Sequence, residues 1–190
     1  MSHRTLVQLE AGLPHVRSSP AQAGRLDAIV VRPDRDTRRD LASCHLDPVG
    51  GAEGDRWIAG HPSPPLPGMP PQDSQLTLMN SRAAELVAGS RDRWPLAGDQ
   101  LYLDLDLSED NLRAGDRLRI GSVVVLEVTP MPHNGCRKFA ARYGPAALAF
   151  VNSPIGRHLH LRGIYARVVT GGLVRVGDPV RKESGPVPAA

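Results

Sequence analysis

At 190 residues the chain can bury one fair-sized core, and its length demands no second domain. With 21 arginines, two lysines and a net charge of +3 it suits a phosphate-bearing small ligand as well as it suits nucleic acid, while seven aromatic residues and the lack of a basic recognition helix or zinc-ligand spacing argue against a nucleic-acid partner. Two cysteines 92 positions apart make no disulfide framework and no iron–sulfur cluster, and the lack of a leader or a bilayer-length apolar run points to the cytoplasm and away from a membrane.

In chain order, the first 24 residues carry Gly12, Pro14, Pro20 and Gly24 among small residues, which predicts a short leading strand and loop. Ala28–Val31 is a compact apolar run, Pro33-Asp34-Arg35-Asp36 has turn chemistry and Leu41–Leu46 returns, so this segment reads as a hairpin with an unusually charged tip. Gly50-Gly51-Ala52-Glu53-Gly54-Asp55-Arg56-Trp57 is a glycine-dense loop where backbone can approach something closely. Six prolines from His61 to Pro71 predict a stiff surface excursion, open to reading as a lid or as an inert loop.

Ser74–Met79 reads as a strand, with Asn80 capping a helix that runs through Ala88 and stops at Gly89. Leu101, Leu103, Leu105 and Leu107 alternate with Tyr102, Asp104 and Asp106, the period of a strand with one buried face. Arg117–Ile120, a turn at Gly121-Ser122 and Val123–Thr129 form a hairpin, and the continuous apolar stretch Val123–Leu126 predicts burial on both faces. Gly-Asp dipeptides at 54–55, 98–99, 115–116 and 177–178 punctuate a meandering barrel. Helical texture follows over Arg137–Tyr143, Ala146–Val151 and Pro154–Leu161. Ile164–Val169, the turn Thr170-Gly171-Gly172 and Leu173–Val176 predict a closing hairpin, and residues 183–190 a disordered tail. The whole is a single domain over residues 1–182, mostly β with flanking helices.

The chemistry gathers around Cys136, in Asn134-Gly135-Cys136-Arg137-Lys138-Phe139, directly after Pro130-Met131-Pro132. A thiol at a helix start beside Arg137, Lys138 and His133 is placed to be a thiolate, and so a nucleophile or metal ligand; the plainer alternative is a small buried hydrophobe. Arg137, Lys138, Arg142, Arg157, His158, His160, Arg162 and Arg167 form an anion-binding rim if they converge, or a solvated surface if they do not. His158-Leu159-His160 is poorly spaced as a metal pair, Cys44-His45 poorer still, and Cys44 reads as core. No GxSxG, GxGxxG or GxxxxGK[ST] motif occurs, so neither a serine hydrolase nor a nucleotide fold is indicated and the chain has no electron source of its own. A cysteine hydrolase with His133 as base is a minor alternative.

One ordered set of motifs ties these pieces together: Gly54-Asp55-Arg56, Ser74–Asn80, Leu96-Ala97-Gly98-Asp99, Leu118-Arg119-Ile120-Gly121 with Leu126-Glu127-Val128, Cys136-Arg137-Lys138-Phe139, and Arg162–Val168 with Val176-Gly177-Asp178. Over roughly residues 26–182 the chain resembles a stand-alone MOSC domain, the family named for the C-terminal domain of molybdenum-cofactor sulfurase. The resemblance implies a β-barrel-like domain, one important cysteine at Cys136, and a molybdenum-pterin ligand or a sulfur-carrier role. Read with it, Cys136 and Lys138 carry the chemistry, with Cys136 as a molybdenum ligand in one version. Arg56, Asn80, Arg137, Arg157, Arg162 and Arg167 hold a phosphorylated pterin, since arginine forks bind phosphate oxygens in pairs. The sulfurases' large pyridoxal-phosphate domain does not fit in 190 residues, so sulfur comes from a separate protein. Three readings follow: a sulfur carrier, a molybdenum-dependent reductase of N-hydroxylated compounds fed by an electron-donor protein, and a non-enzymatic module for a small anionic ligand.

Overall fold

Thr5 and Gln8 set how the chain begins. The Thr5 hydroxyl accepts from the Gln8 N–H, and the Gln8 side chain accepts from the Thr5 N–H. This reciprocal cap starts helix α1 (Leu6–Ala11), and α2 (Leu13–Arg17) follows with Pro14 in its first turn, where a missing N–H costs nothing. The expected leading strand is therefore replaced by two short helices that bury Leu9 and Val16. The computed structural model describes residues 3–60 and 71–183; most of the Pro-rich excursion and residues 184–190 of the expected tail lie outside them. Glu183 pairs with Arg119.

The chain continues as β1 (Ala23–Val31), β2 (Arg39–Leu41), β3 (Ser43–Asp47), β4 (Gly51–Ala52), α3 (Trp57–Gly60) and a 3-10 turn over Pro71–Ser74. Then come β5 (Leu76–Asn80), α4 (Ser81–Ala88), a second 3-10 segment over Arg91–Ala97, β6 (Leu101–Asp104), β7 (Arg117–Ile120) and β8 (Val124–Val128). The last elements are α5 (Arg137–Tyr143), α6 (Pro145–Asn152), α7 (Pro154–His158), β9 (Ile164–Thr170), β10 (Gly172–Arg175) and β11 (Pro179–Lys182). Strands β1, β6, β5, β9, β8, β7 and β11 close into a barrel through the β11–β1 pair. Among the described strands only β5 and β6 run parallel, joined by the crossover through α4. β2 hangs from β1, and β3, β4 and β10 form a small second sheet. The mostly-β barrel with helices beside it is as expected, and no helix among the described residues is long and apolar enough to cross a membrane.

Strands β5 and β6 place the rest. Leu78, Leu101 and Leu103 point into the barrel core, while Met79 and Tyr102 enter a second core under the helices with Leu9, Phe139 and Phe150. Alternate residues thus serve two interiors. Asn80 accepts from the Ala83 N–H to start α4, and Gly89 ends that helix at φ 78°. The four Gly-Asp glycines have left-handed φ of 80° (Gly54), 89° (Gly98), 92° (Gly115) and 97° (Gly177), so each is a turn that a side chain would strain.

Five expectations are corrected. The return strand 41–46 breaks at Ala42 because its two halves join different sheets. β6 ends at Asp104, though Leu105 and Leu107 remain buried, and the third α-helix stops at His158. The β7–β8 turn takes in Val123, which is 53% exposed, so double burial begins only at Val124. The closing hairpin does not form: β9 already pairs with β5 on one edge and β8 on the other, and β10 pairs with β3 instead.

Asn80 also donates its amide to the Ser19 hydroxyl and the Leu105 carbonyl, at 2.8 and 2.7 Å. Asn80→Ala removes a cap and strands two buried acceptors, and should cost about 2–4 kcal/mol in chemical denaturation; a loss below about 0.5 kcal/mol would contradict the structural role given to it.

Candidate functional site

The β1–β2 hairpin tip brings Arg32, Arg35 and Arg38 to one mouth, the loop after β4 adds Arg56, and the start of α5 adds Cys136, Arg137 and Lys138. With Arg142 and Arg162 they line a cleft of about 370 Å³. Its two innermost guanidiniums are fixed by buried carboxylates. Arg32 forks onto Asp55 through Nε and Nη2 at 2.9 and 3.0 Å, and Asp55 also accepts the Arg32 and Trp57 N–H groups at 2.9 Å each. Arg162 donates to Asp99 at 2.6 Å and to the Ala97 carbonyl at 3.0 Å. Burial alone would lower the Arg162 pKa, but the Asp99 charge and hydrogen bond outweigh it and the net shift is upward.

The outer cations are less well matched. Arg35 and Arg142 share the exposed Asp36 at 3.8 and 3.5 Å, and Arg38, Arg56, Arg137 and Lys138 have no carboxylate partner among the described residues. Burial, then repulsion from Arg142 and Arg32, lowers the Arg38 pKa. Eight basic side chains face Asp36 in the lining and Asp55 and Asp99 behind it, an excess of five positive charges. Such a field concentrates anions.

Cys136 caps α5, its carbonyl accepting from the Ala140 N–H at 3.1 Å, and its side chain is exposed. The loop before it is clamped by Asn152, which accepts the Gly135 N–H at 2.9 Å and donates to the Gly135 carbonyl at 3.0 Å. A Cβ on Gly135 would lie 2.8 Å from Val151 and 2.9 Å from Leu148, so glycine lets α6 close on the cysteine loop. Cys44 is buried, and burial pushes its thiol up to about 11.

His133 sits at the floor with 7% of its side chain exposed, its ring 4.5 Å from that of Tyr165. Burial first, then the charges of Arg162 and Arg32, hold its pKa well below the ordinary value, so the ring is neutral near pH 7. Its Nδ1 lies 3.7 Å from Asp99 Oδ1, which for a neutral ring is neither an ion pair nor a hydrogen bond. Both atoms lack partners, as do Arg38 Nε and Gln100 Nε2. Gln100 is tied to the lining residue Thr77 through Oε1 at 2.9 and 2.5 Å.

Of the residues picked out in sequence, Cys136, Lys138, Arg137, Arg162 and Arg56 come together in the cleft, with Arg142 beside them. Five lie elsewhere. Asn80 is buried as a helix cap, Arg157, His158 and His160 line a second cavity, and Arg167 pairs with Asp73 at 3.5 Å and Glu127 at 2.5 Å on the barrel wall. The opposite side of the cleft is supplied by Arg32, Arg35 and Arg38, which sequence reasoning did not assign; the charged hairpin tip was their only sign.

A family model described as MOSC domain matches residues 72–181. The chain belongs to the MOSC domain family. Among solved structures, the YuaD protein from Bacillus subtilis is similar at 18% identity and a TM-score of 0.59, over 85% of this chain and 96% of that one. YiiM from Geobacillus stearothermophilus is similar at 18% identity and 0.56, over 87% and 78%, and YiiM from Escherichia coli at 18% and 0.53, over 84% and 70%. At that identity the likeness concerns the fold. No curated protein matches the sequence.

The two thiols of this MOSC protein should separate cleanly. At pH 7 iodoacetamide should label exposed Cys136 on the order of 100-fold faster than Cys44, whose thiolate is scarce and shielded; peptide mapping over time reads the ratio, and equal rates in the folded protein would contradict the assignment of Cys136 to an open cleft.

Proposed function

We propose that this MOSC protein binds a phosphorylated molybdenum-pterin in the cationic cleft and presents the Cys136 sulfur to its metal end. One observation carries the reading: the exposed thiol and eight basic side chains line the same cleft. The donors suit such a group. Free guanidiniums match phosphate oxygens in pairs. A Cβ at Gly98 would reach to 3.7 Å from Arg38 and 3.8 Å from Arg142, so glycine keeps the space between two guanidiniums open.

Among the described residues no three His, Cys, Asp or Glu side chains gather as metal donors, so these side chains alone would not complete a metal's coordination, and Cys136 would add one donor to a metal brought in by the cofactor. A soft thiolate is the right donor for that position. When bound, the cofactor supplies redox and sulfur chemistry. The chain fixes the anionic end with Arg38, Arg56 and Arg137, and offers a sulfur that either ligates the metal or carries a persulfide sulfur received from a separate donor. Lys138 lies beside Cys136 in the lining and adds a cation to the same mouth. An electron-donor protein is required if the sulfur is a ligand in a reductase.

Protein purified from a host that makes the cofactor should contain molybdenum and pterin at near one per chain. Arg56→Glu should lower both at least about tenfold; Cys136→Ser should leave the melting temperature and pterin in place while abolishing persulfide loading or molybdenum retention. Wild-type protein free of molybdenum and pterin, or Cys136→Ser protein indistinguishable from it, would overturn the reading.

A further inference from the structure

One turn, Leu96–Gly98, seats three guanidiniums of the cleft. The Leu96 carbonyl accepts from Arg142 at 2.8 Å, the Ala97 carbonyl from Arg162 at 3.0 Å and the Gly98 carbonyl from Arg32 at 3.2 Å. The tip of the β1–β2 hairpin meets this turn, since a Cβ on Gly98 would lie 3.7 Å from Arg38. The tip is itself an ordered turn. The Thr37 N–H donates to the Asp34 carbonyl at 3.2 Å, the Arg35 N–H donates to the Asp34 carboxylate at 2.6 Å, and Arg38 donates to the Thr37 carbonyl at 2.7 Å.

Asp36 stands at the head of that tip, and among the described residues it is the one acidic side chain in the cleft lining. Its two oxygens reach different elements. Oδ2 lies 3.8 Å from Arg35 Nε on its own turn, and Oδ1 lies 3.5 Å from Arg142 Nη2 on α5. The carboxylate therefore links the hairpin to α5 across the mouth. Its charge also reaches Arg38, where it opposes the lowering of the pKa by burial and by Arg142 and Arg32. Both contacts are longer than a good hydrogen bond and the side chain is 70% exposed, so this is a loose ion pair that a stronger anion can replace. The backbone keeps the carboxylate in place with a left-handed φ of 58°, a conformation that Asp and Asn accept more readily than other residues with a side chain.

We propose that Asp36 is a built-in competitor for the anion site: in the empty cleft its carboxylate takes the place at Arg142 that an oxyanion of the ligand takes in the filled one, and a phosphate monoester displaces it and frees the hairpin tip from α5. A phosphate dianion carries more charge and one more oxygen than the carboxylate it replaces. The contact thus sets a threshold that weak anions do not pass. The inference deepens the anion-binding reading of the cleft given above and does not depend on the anion belonging to a pterin.

The test is a calorimetric titration of the full chain with methyl phosphate at pH 8 and fixed ionic strength. Asp36→Asn removes the charge and keeps the turn, and should tighten binding about two- to fivefold, the range of an exposed ion pair. Asp40→Asn is the control, because Asp40 belongs to the same hairpin but pairs with Arg91 at 2.8 Å outside the lining; it should leave the affinity unchanged. Arg142→Met should weaken binding, and in that background Asp36→Asn should bring no further gain, since the carboxylate has lost its partner across the mouth. Wild type that does not bind methyl phosphate, an Asp36→Asn protein that binds no tighter, an equal gain from Asp40→Asn, or a full gain from Asp36→Asn in the Arg142→Met background would each overturn the proposal. The expected pattern in a protein that carries no molybdenum or pterin would sink the cofactor reading and leave the competitor standing; molybdenum and pterin at one per chain with no effect of Asp36→Asn would do the reverse.

Discussion

Two buried carboxylates, Asp55 and Asp99, decide the character of the cleft. Each holds one guanidinium in fixed geometry, Asp55 through a two-pronged contact with Arg32 and Asp99 through a 2.6 Å bond to Arg162. Each follows a glycine at left-handed φ, so the turn that reverses the chain also aims the carboxylate inward. Removing one partner of such a pair leaves a charge uncompensated in a dry interior, a loss of about 3–5 kcal/mol. The inner arginines are thus part of the frame, and the outer ones are free to meet a ligand.

That division has an energetic consequence. Arg38, Arg56, Arg137, Lys138 and the half-shared Arg35 and Arg142 crowd positive charge into one space, and the lowered pKa of Arg38 records burial and the repulsion it meets there. The empty frame is less stable for it, and any anion that enters returns the difference as binding energy. The cavity behind His133 contrasts with the cleft, with the apolar walls of Leu112, Val128, Met131 and Ile164 and charges only at the rim.

The barrel was legible because its signals are local. Period-two leucines in 101–107, the Asn80 cap with Gly89, and the Gly-Asp turns each follow from a few neighbouring residues. The short N-terminal helices were not, since prolines and glycines masked a four-residue cap, and the β10–β3 pair depends on which edges of β9 are already taken. In the site, Cys136, Arg137 and Lys138 are contiguous and could be read together; Arg32 and Arg38 reach the same cleft only through a hairpin roughly a hundred positions earlier. Arg157 and Arg167 are close to Cys136 in sequence yet turned away, because α7 faces the second cavity and β9 offers acidic partners on the barrel wall.

The central claim is that the cleft holds unmatched positive charge for an anionic ligand. It is tested most directly by the melting temperature of the wild type and Arg38→Met in inorganic phosphate, against chloride at equal ionic strength. At about ten times the dissociation constant, phosphate should raise the wild-type value by about 3–5 °C; Arg38→Met should melt higher than wild type in chloride and gain less from phosphate. A wild type that responds no more to phosphate than to chloride, or an Arg38→Met protein that melts lower in chloride and responds to phosphate like wild type, would contradict the account.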